Sequence, residues 1–412
     1  MGAPEPTGHG NRRCAARRET ERRIELLSER CQSLLGNSLL GILLVGSAAR
    51  ARESYAMEGE KLLLLSDLDL YCVVRRSETR SADTVRELHE LADSDPFFLN
   101  GLDLSIVGQG ALEGMDDALK ASQARGAHRW VWRRDGWEAP TIRATGDREP
   151  GAIDAFRLVC NRAAEELLHT RPDGRPEDTL QAAYTRWKLL RDLPLALYAA
   201  LAPEVRVATA RADIAGELRT RLRWPRLDGL LDSIESLNVD FETGPVTKAR
   251  LDAVTRVDTS AHRRGISHQE LIESVWPAYR FVALRACESG LSIELCIERS
   301  ESQGSNCTDG DLELFRSVPR RGGTLGTLRR AYLYRREAPK RTRPWWRYAL
   351  DGPGPERVQA AAALAFAGSA DPASLLRDLY GESDLMRRGA SGNPCDALWY
   401  GQQWRDWILG EA

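Results

Sequence analysis

Residues 41–47 read Gly-Ile-Leu-Leu-Val-Gly-Ser, and residues 66–74 read Ser-Asp-Leu-Asp-Leu-Tyr-Cys-Val-Val. Each is a short apolar run bounded by small or polar residues, the pattern of a buried strand. Alternate side chains of a strand share a face, so Asp67 and Asp69 project together while Leu68 and Leu70 turn into the core. Two carboxylates one strand repeat apart repel each other unless a cation lies between them, and magnesium suits such oxygen ligands. A third carboxylate, Asp103, stands in Gly-Leu-Asp-Leu-Ser-Ile-Val-Gly at residues 101–108, another strand bounded by glycines, with Asp93, Asp95 and Glu113 as competitors nearby. Three acids from neighbouring strands can hold two cations, one activating an incoming oxygen and one gripping a triphosphate. Gly46-Ser47 ends the first strand and opens a helix through Ala48 to Arg52. Glycine lets phosphates approach the backbone, and helix-terminal amides with the Ser47 hydroxyl can bond their oxygens.

Taken in order, the apolar strand, Gly46-Ser47, the gap, Asp67-x-Asp69 and the later Asp103 resemble the DNA polymerase β-like nucleotidyltransferase superfamily over roughly the first third of the chain. The opening Gly-Ser-x-Ala-Arg, with Glu53 beyond it, is similar to the small-molecule (aminoglycoside-type) and bacterial surface-polysaccharide branches. One departure is a longer gap after Ser47, filled by Arg50, Glu53, Tyr55, Glu58, Glu60 and Lys61; an insertion there would sit beside the triphosphate as a lid.

The resemblance implies an α/β (α+β) nucleotidyltransferase-like mixed sheet followed by a mostly α-helical region, with the active site in the cleft between them. Asp67, Asp69 and Asp103 would be the catalytic and metal-binding residues, holding two magnesium ions. Gly46, Ser47 and, from the helical region, Lys188 would bind the nucleotide. The implied reaction moves a nucleoside monophosphate from a triphosphate, ATP by default, to a hydroxyl of a small molecule, releasing pyrophosphate. The same residues also admit a plainer reading, since Asp-x-Asp can be solvated carboxylates and Gly-Ser an ordinary turn. A nucleotide- or partner-binding module without turnover is the alternative from another class. Transfer to an RNA or protein hydroxyl is the other alternative, using the basic and aromatic residues between Arg329 and Tyr348.

Bulk properties narrow the field. At 412 residues the chain exceeds one ordinary core, so two or three domains are expected. A formal net charge of -2 and a pI near 6.4 argue against nucleic acid or a membrane surface as partner for the whole surface. Lysine occurs only at positions 61, 120, 188, 248 and 340, each a compact point charge suited to phosphate in an otherwise arginine-rich chain. The cysteines, at 14, 31, 72, 160, 287, 296, 307 and 395, form no Cys-x-x-Cys pair and read as reduced thiols of a cytoplasmic protein. No targeting h-region or membrane-length apolar run is present.

The expected organisation is a disordered tail over 1–18, a catalytic domain over 19–150, a helical domain over 151–300 and a C-terminal helical region over 301–412. Within the first domain, 19–35 should pack on the sheet as an amphipathic helix, Ser81 should cap another, and Trp130 to Trp137 should form a hairpin, with adenine stacking one use for its indoles. Beyond it, periodicity predicts helices over 152–169, 178–201, 217–237, 246–257 and 267–288, with bends at Pro194 and Pro277. Tyr184, Lys188 and Asp192 fall on one face of the second of these, where Lys188 could clamp phosphate or pair with Asp192. Arg157, Arg162, Arg186 and Arg191 are weaker phosphate candidates. Residues 301–311 read as a linker.

Overall fold

The computed structural model describes residues 8–51, 53–58, 61–75, 95–99, 102–115, 118–144, 149–169, 179–201, 211–242, 268–288, 290–318 and 354–369, with isolated positions besides. The chain divides into two compact units, Met1–Glu149 with Ser236–Leu251 and Pro150–Glu235 with Asp252–Ala412.

The first unit runs α1 (Gly8–Leu35), β1 (Leu39–Val45), α2 (Gly46–Ala49), β2 (Tyr55–Glu58), β3 (Lys61–Leu64), β4 (Leu68–Val74), β5 (Leu102–Gly108), α3 (Gln109–Leu112), α4 (Ala118–Gly126) and β6 (His128–Arg133). Four strands form one mixed sheet in the order β5-β4-β1-β6, with β1 antiparallel to both neighbours and β4 parallel to β5. Strand alternation sorts the side chains into two cores. Ile42, Leu44, Leu70, Cys72 and Val74 join Ile24, Leu27, Cys31 and Leu35 of α1 on one face. Leu43, Val45, Tyr71 and Val73 face Leu112, Ala124 and Ile142 on the other. Covered on both sides, β1 is buried along its length, which is why it reads as a continuous apolar run.

The spacing of Ile24, Leu27, Cys31 and Leu35 gives α1 its single apolar stripe, and burying each of the larger aliphatic side chains contributes about 1.5–3 kcal/mol. The helix starts at Gly8, so the expected tail over 1–18 gives way to helix from its eighth residue. Alanine and arginine are good helix formers, and burial of Ala16 and Thr20 fixes the earlier turns. The long gap after Ser47 holds the β2-β3 hairpin, which is tied into the core at the end of β3. Leu64 packs with the α1 face, its N–H donates to the Phe97 carbonyl at 2.7 Å, and its carbonyl accepts from Leu99 at 2.9 Å. Only one strand of the expected tryptophan hairpin forms. It is β6, which pairs with β1, and residues 137–143 carry no strand. A Cβ on Gly41 would lie 2.7 Å from the Trp137 ring and 2.8 Å from the Trp130 ring, so these indoles, edge to face at 5.3 Å, fill the core over a glycine.

The second unit is helical in its described residues: α5 (Ala152–Leu167), α6 (Leu180–Ala200), α7 (Arg211–Leu222), α8 (Pro225–Glu242, which belongs to this unit as far as Glu235), α9 (His268–Cys287), α10 (Ile293–Ser302), α11 (Asp309–Ser317) and α12 (Gly354–Phe366). The single helix expected over 217–237 is two, broken at Arg223-Trp224, where Arg223 takes a positive φ of 46° and Pro225 starts the next helix. Both Pro194 and Pro277 lie inside their helices. The expected linker at 301–311 is short and held down. Asp311 accepts from the Thr308 N–H at 2.7 Å and pairs with fully buried Arg280 at 2.5 Å, which ties α11 to α9. The helix expected after Ser81, apart from Glu87 and Glu90, the helix expected over 246–257 and the basic-aromatic stretch 329–348 lie outside the described residues.

Candidate functional site

The three carboxylates named from sequence all belong to the first unit. Asp69 is the second residue of β4 and Asp103 the second of β5, and the parallel register sets them directly opposite each other. Adjacent strands lie about 4.8 Å apart, so the two acids share one face at neighbouring positions. Asp67 sits in the loop just before β4, half-buried, one repeat ahead of Asp69. By alternation Asp69 projects on the face of Tyr71 and Val73, away from α1.

Gly46 lies at the junction of β1 and α2, with φ at +81°. Val45 is in register with Asp69, and a Cβ on Gly46 would come within 3.0 Å of Asp69 Oδ2. Both the backbone conformation and the approach of the carboxylate therefore call for glycine. The helix opened by Gly46-Ser47 is a single turn ending at Ala49, shorter than the expected run to Arg52, and Ala51 leaves it at a φ of 56°. Ser47 is half-buried beside the junction.

Lys120, on α4, stands beside these acids, and the sequence marks it only as one of the few lysines. Its Nζ lies 3.7 Å from Asp103 Oδ2 and 5.3 Å from the centre of the Tyr71 ring. Asp103 Oδ1 accepts from Ser105 Oγ at 3.1 Å. Although 42% of the Lys120 side chain is open to water, the protein packed around its ammonium works against the charge, and the fields of Tyr71, Asp103 and Asp69 outweigh that and raise it above its ordinary pKa. Burial likewise pushes the Tyr71 hydroxyl up against the opposing pull of Lys120.

The chain matches no known family model, no curated protein and no solved structure. Its site is therefore read from its own residues.

Among the described residues no group of three or more His, Cys, Asp or Glu side chains is gathered as a metal-binding cluster. The in-register pair Asp69 and Asp103 still fits magnesium, which is commonly held by one or two carboxylates together with substrate phosphates and water. No helix among the described residues is long and apolar enough to cross a membrane. Among the described residues, Cys14, Cys31, Cys72, Cys160, Cys287, Cys296 and Cys307 form no disulfide.

Lys188 lies in the second unit. Its side chain is 8% exposed, and Nζ pairs with Glu165 Oε2 at 3.3 Å, while Asp192 pairs with Arg162 and Arg191 at 2.8 Å each. The sequence-derived alternatives for Lys188 were phosphate or Asp192, and the partner across α5 is Glu165. Arg186 is likewise engaged, at 2.9 Å, with buried Glu166. Burial raises the pKa of Glu166 above the usual carboxylate range, against the opposing pull of Arg186. These charges neutralise one another within the helical core.

Proposed function

We propose that the chain is a magnesium-dependent nucleotidyltransferase that moves a nucleoside monophosphate, AMP from ATP by default, to a hydroxyl of a small-molecule acceptor. The observation that carries this reading is the pairing of Asp69 with Asp103 across two parallel strands, beside a glycine whose missing side chain makes room for the Asp69 carboxylate. Opposed carboxylates destabilise a strand pair unless a cation is held with them. In this reading Asp69 and Asp103, with Asp67 ahead of them, bind magnesium, which supplies charge neutralisation for the triphosphate and polarises the reacting phosphoryl oxygen. Gly46 and Ser47 position the β- and γ-phosphates at the end of β1. The acceptor oxygen attacks the α-phosphorus in line and its proton passes to a carboxylate. The bond to the β-phosphate oxygen breaks, and pyrophosphate leaves.

A nucleotide-binding module without turnover is the second reading, favoured by the ammonium already held at Asp103. One experiment separates them: pyrophosphate release from each ribonucleoside triphosphate with magnesium, with and without a panel of hydroxylated small molecules, for wild type and Asp69→Ala. Acceptor-dependent release that Asp69→Ala abolishes supports transfer and names both substrates. Tight triphosphate binding with no release for any acceptor favours the binding module.

A further inference from the structure

The carboxylate pair already has a cation. Asp103 is engaged on both oxygens, by Ser105 on Oδ1 and by Lys120 on Oδ2, and the Lys120 ammonium also lies over the Tyr71 ring. This contact does little for stability. Its two side chains are 42% and 44% exposed, and ion pairs so open to water contribute about 0–1 kcal/mol. The helix that carries Lys120 is seated by buried Ala118, Leu119, Ala121 and Ala124, so it keeps its place without the ammonium. Chemistry also distinguishes the residue. Arginine would lock onto Asp103 through a planar fork, whereas lysine brings a point charge on a flexible stem that can let go and move. Magnesium binding at Asp69 and Asp103 would require that ammonium to leave Oδ2, and a triphosphate delivered with the metal offers it anionic oxygens close by.

We propose that Lys120 is the resident counter-cation of the Asp69–Asp103 pair. It yields Asp103 to the metal and passes to a phosphate oxygen of the bound triphosphate. The inference rests on the nucleotidyltransferase reading, and makes Lys120 a nucleotide-binding residue that competes with metal in the empty site. Removing the ammonium therefore has opposite effects on the two ligands: the free protein binds divalent metal more tightly, and the metal-loaded triphosphate more weakly.

The test uses the full chain as wild type, Lys120→Met, Lys120→Arg and Asp69→Asn. Manganese binding without nucleotide is followed by electron paramagnetic resonance of the free ion, and a fluorescent ATP analogue is titrated in magnesium. Lys120→Met should bind manganese several-fold more tightly than wild type and the nucleotide roughly 10- to 100-fold more weakly, the range for one charge-assisted contact. Lys120→Arg, which keeps the charge, should recover much of the nucleotide affinity. If both Lys120 variants match wild type for both ligands while Asp69→Asn loses the nucleotide, Lys120 is only a surface ion pair and the inference is overturned with the enzymatic reading intact. If wild type itself binds no triphosphate, the reading fails and the transfer of Lys120 fails with it.

Discussion

At the scale of single residues, the site turns on what Gly46 lacks. Alanine there would have to hold a φ of +81°, a conformation that costs an L-residue about 1–2 kcal/mol, and its methyl would meet Asp69 Oδ2 at 3.0 Å. Gly46→Ala should therefore lower stability by about that amount in urea titration and weaken magnesium-ATP at least tenfold, because the displaced group is itself a proposed ligand. Loss of stability with unchanged nucleotide affinity would reduce Gly46 to a turn residue. Gly46, Asp69 and Asp103 were legible because strand alternation and flanking glycines leave a pattern that survives in one dimension. Lys120 was not. Its partner lies 17 positions earlier on another element, and nothing in the run from Ala118 to Gly126 marks which side chain will reach the edge strand. The only signal was the scarcity of lysine. Lys188 shows a different limit, since periodicity places it on a helix but cannot supply the partner, Glu165, that the preceding helix brings to it.

At the scale of elements, each strand and helix is fixed by contacts that can be tested separately. In β1, Gly41 gives two indoles their place, so Gly41→Ala inserts a methyl 2.7–2.8 Å from ring carbons. Overpacking of this kind costs about 1–3 kcal/mol, to be read as a lowered urea midpoint with an unchanged slope. In α6, Lys188→Met leaves Glu165 with Arg162 at 2.5 Å and the Asn161 amide at 3.3 Å, and should cost roughly 1–3 kcal/mol while leaving triphosphate affinity where it was. A selective loss of nucleotide affinity in that variant would support the phosphate role that the sequence reading gives Lys188. In α1, hydrogen bonds from Arg22, and then from Arg23, hold Glu19 down to about 2, from an ordinary value of 4.5. A depressed carboxyl stabilises the fold above its ordinary pKa and loses that contribution as pH falls toward the folded value. Glu19→Gln should accordingly be less stable than wild type at neutral pH, and the gap should close between about pH 4.5 and pH 2 in acid unfolding curves. A gap that stays constant across this range would mean that the ion pairs carry no pH-dependent stability. The helix boundaries that escaped sequence reading have local causes. Arg223-Trp224 breaks a run whose apolar periodicity continues on both sides, and the start of α1 at Gly8 follows from helix formers in a segment poor in large apolar residues.

At the scale of the whole molecule, every residue assigned to the site other than Lys188 lies in the unit built on the sheet, and Lys188 lies in the helical unit. Ligand linkage turns this division into a measurement. A ligand present at a hundred times its Kd stabilises the unit that binds it by about 2.7 kcal/mol, which for a unit of this size is about 5–10 °C in Tm. Two variants label the units in calorimetry. Gly41→Ala should lower the transition of the sheet unit, and Lys188→Met that of the helical unit. Magnesium-ATP should then raise the transition marked by Gly41→Ala and leave the one marked by Lys188→Met in place, and Asp69→Ala should abolish the rise. A rise confined to the transition marked by Lys188→Met would move the nucleotide site to the helical unit, and with it the role first expected of Lys188. No movement of either transition with any triphosphate and magnesium would remove the nucleotide from the function altogether. In that case Asp69 and Asp103 would be left as a carboxylate pair in the field of the Lys120 ammonium.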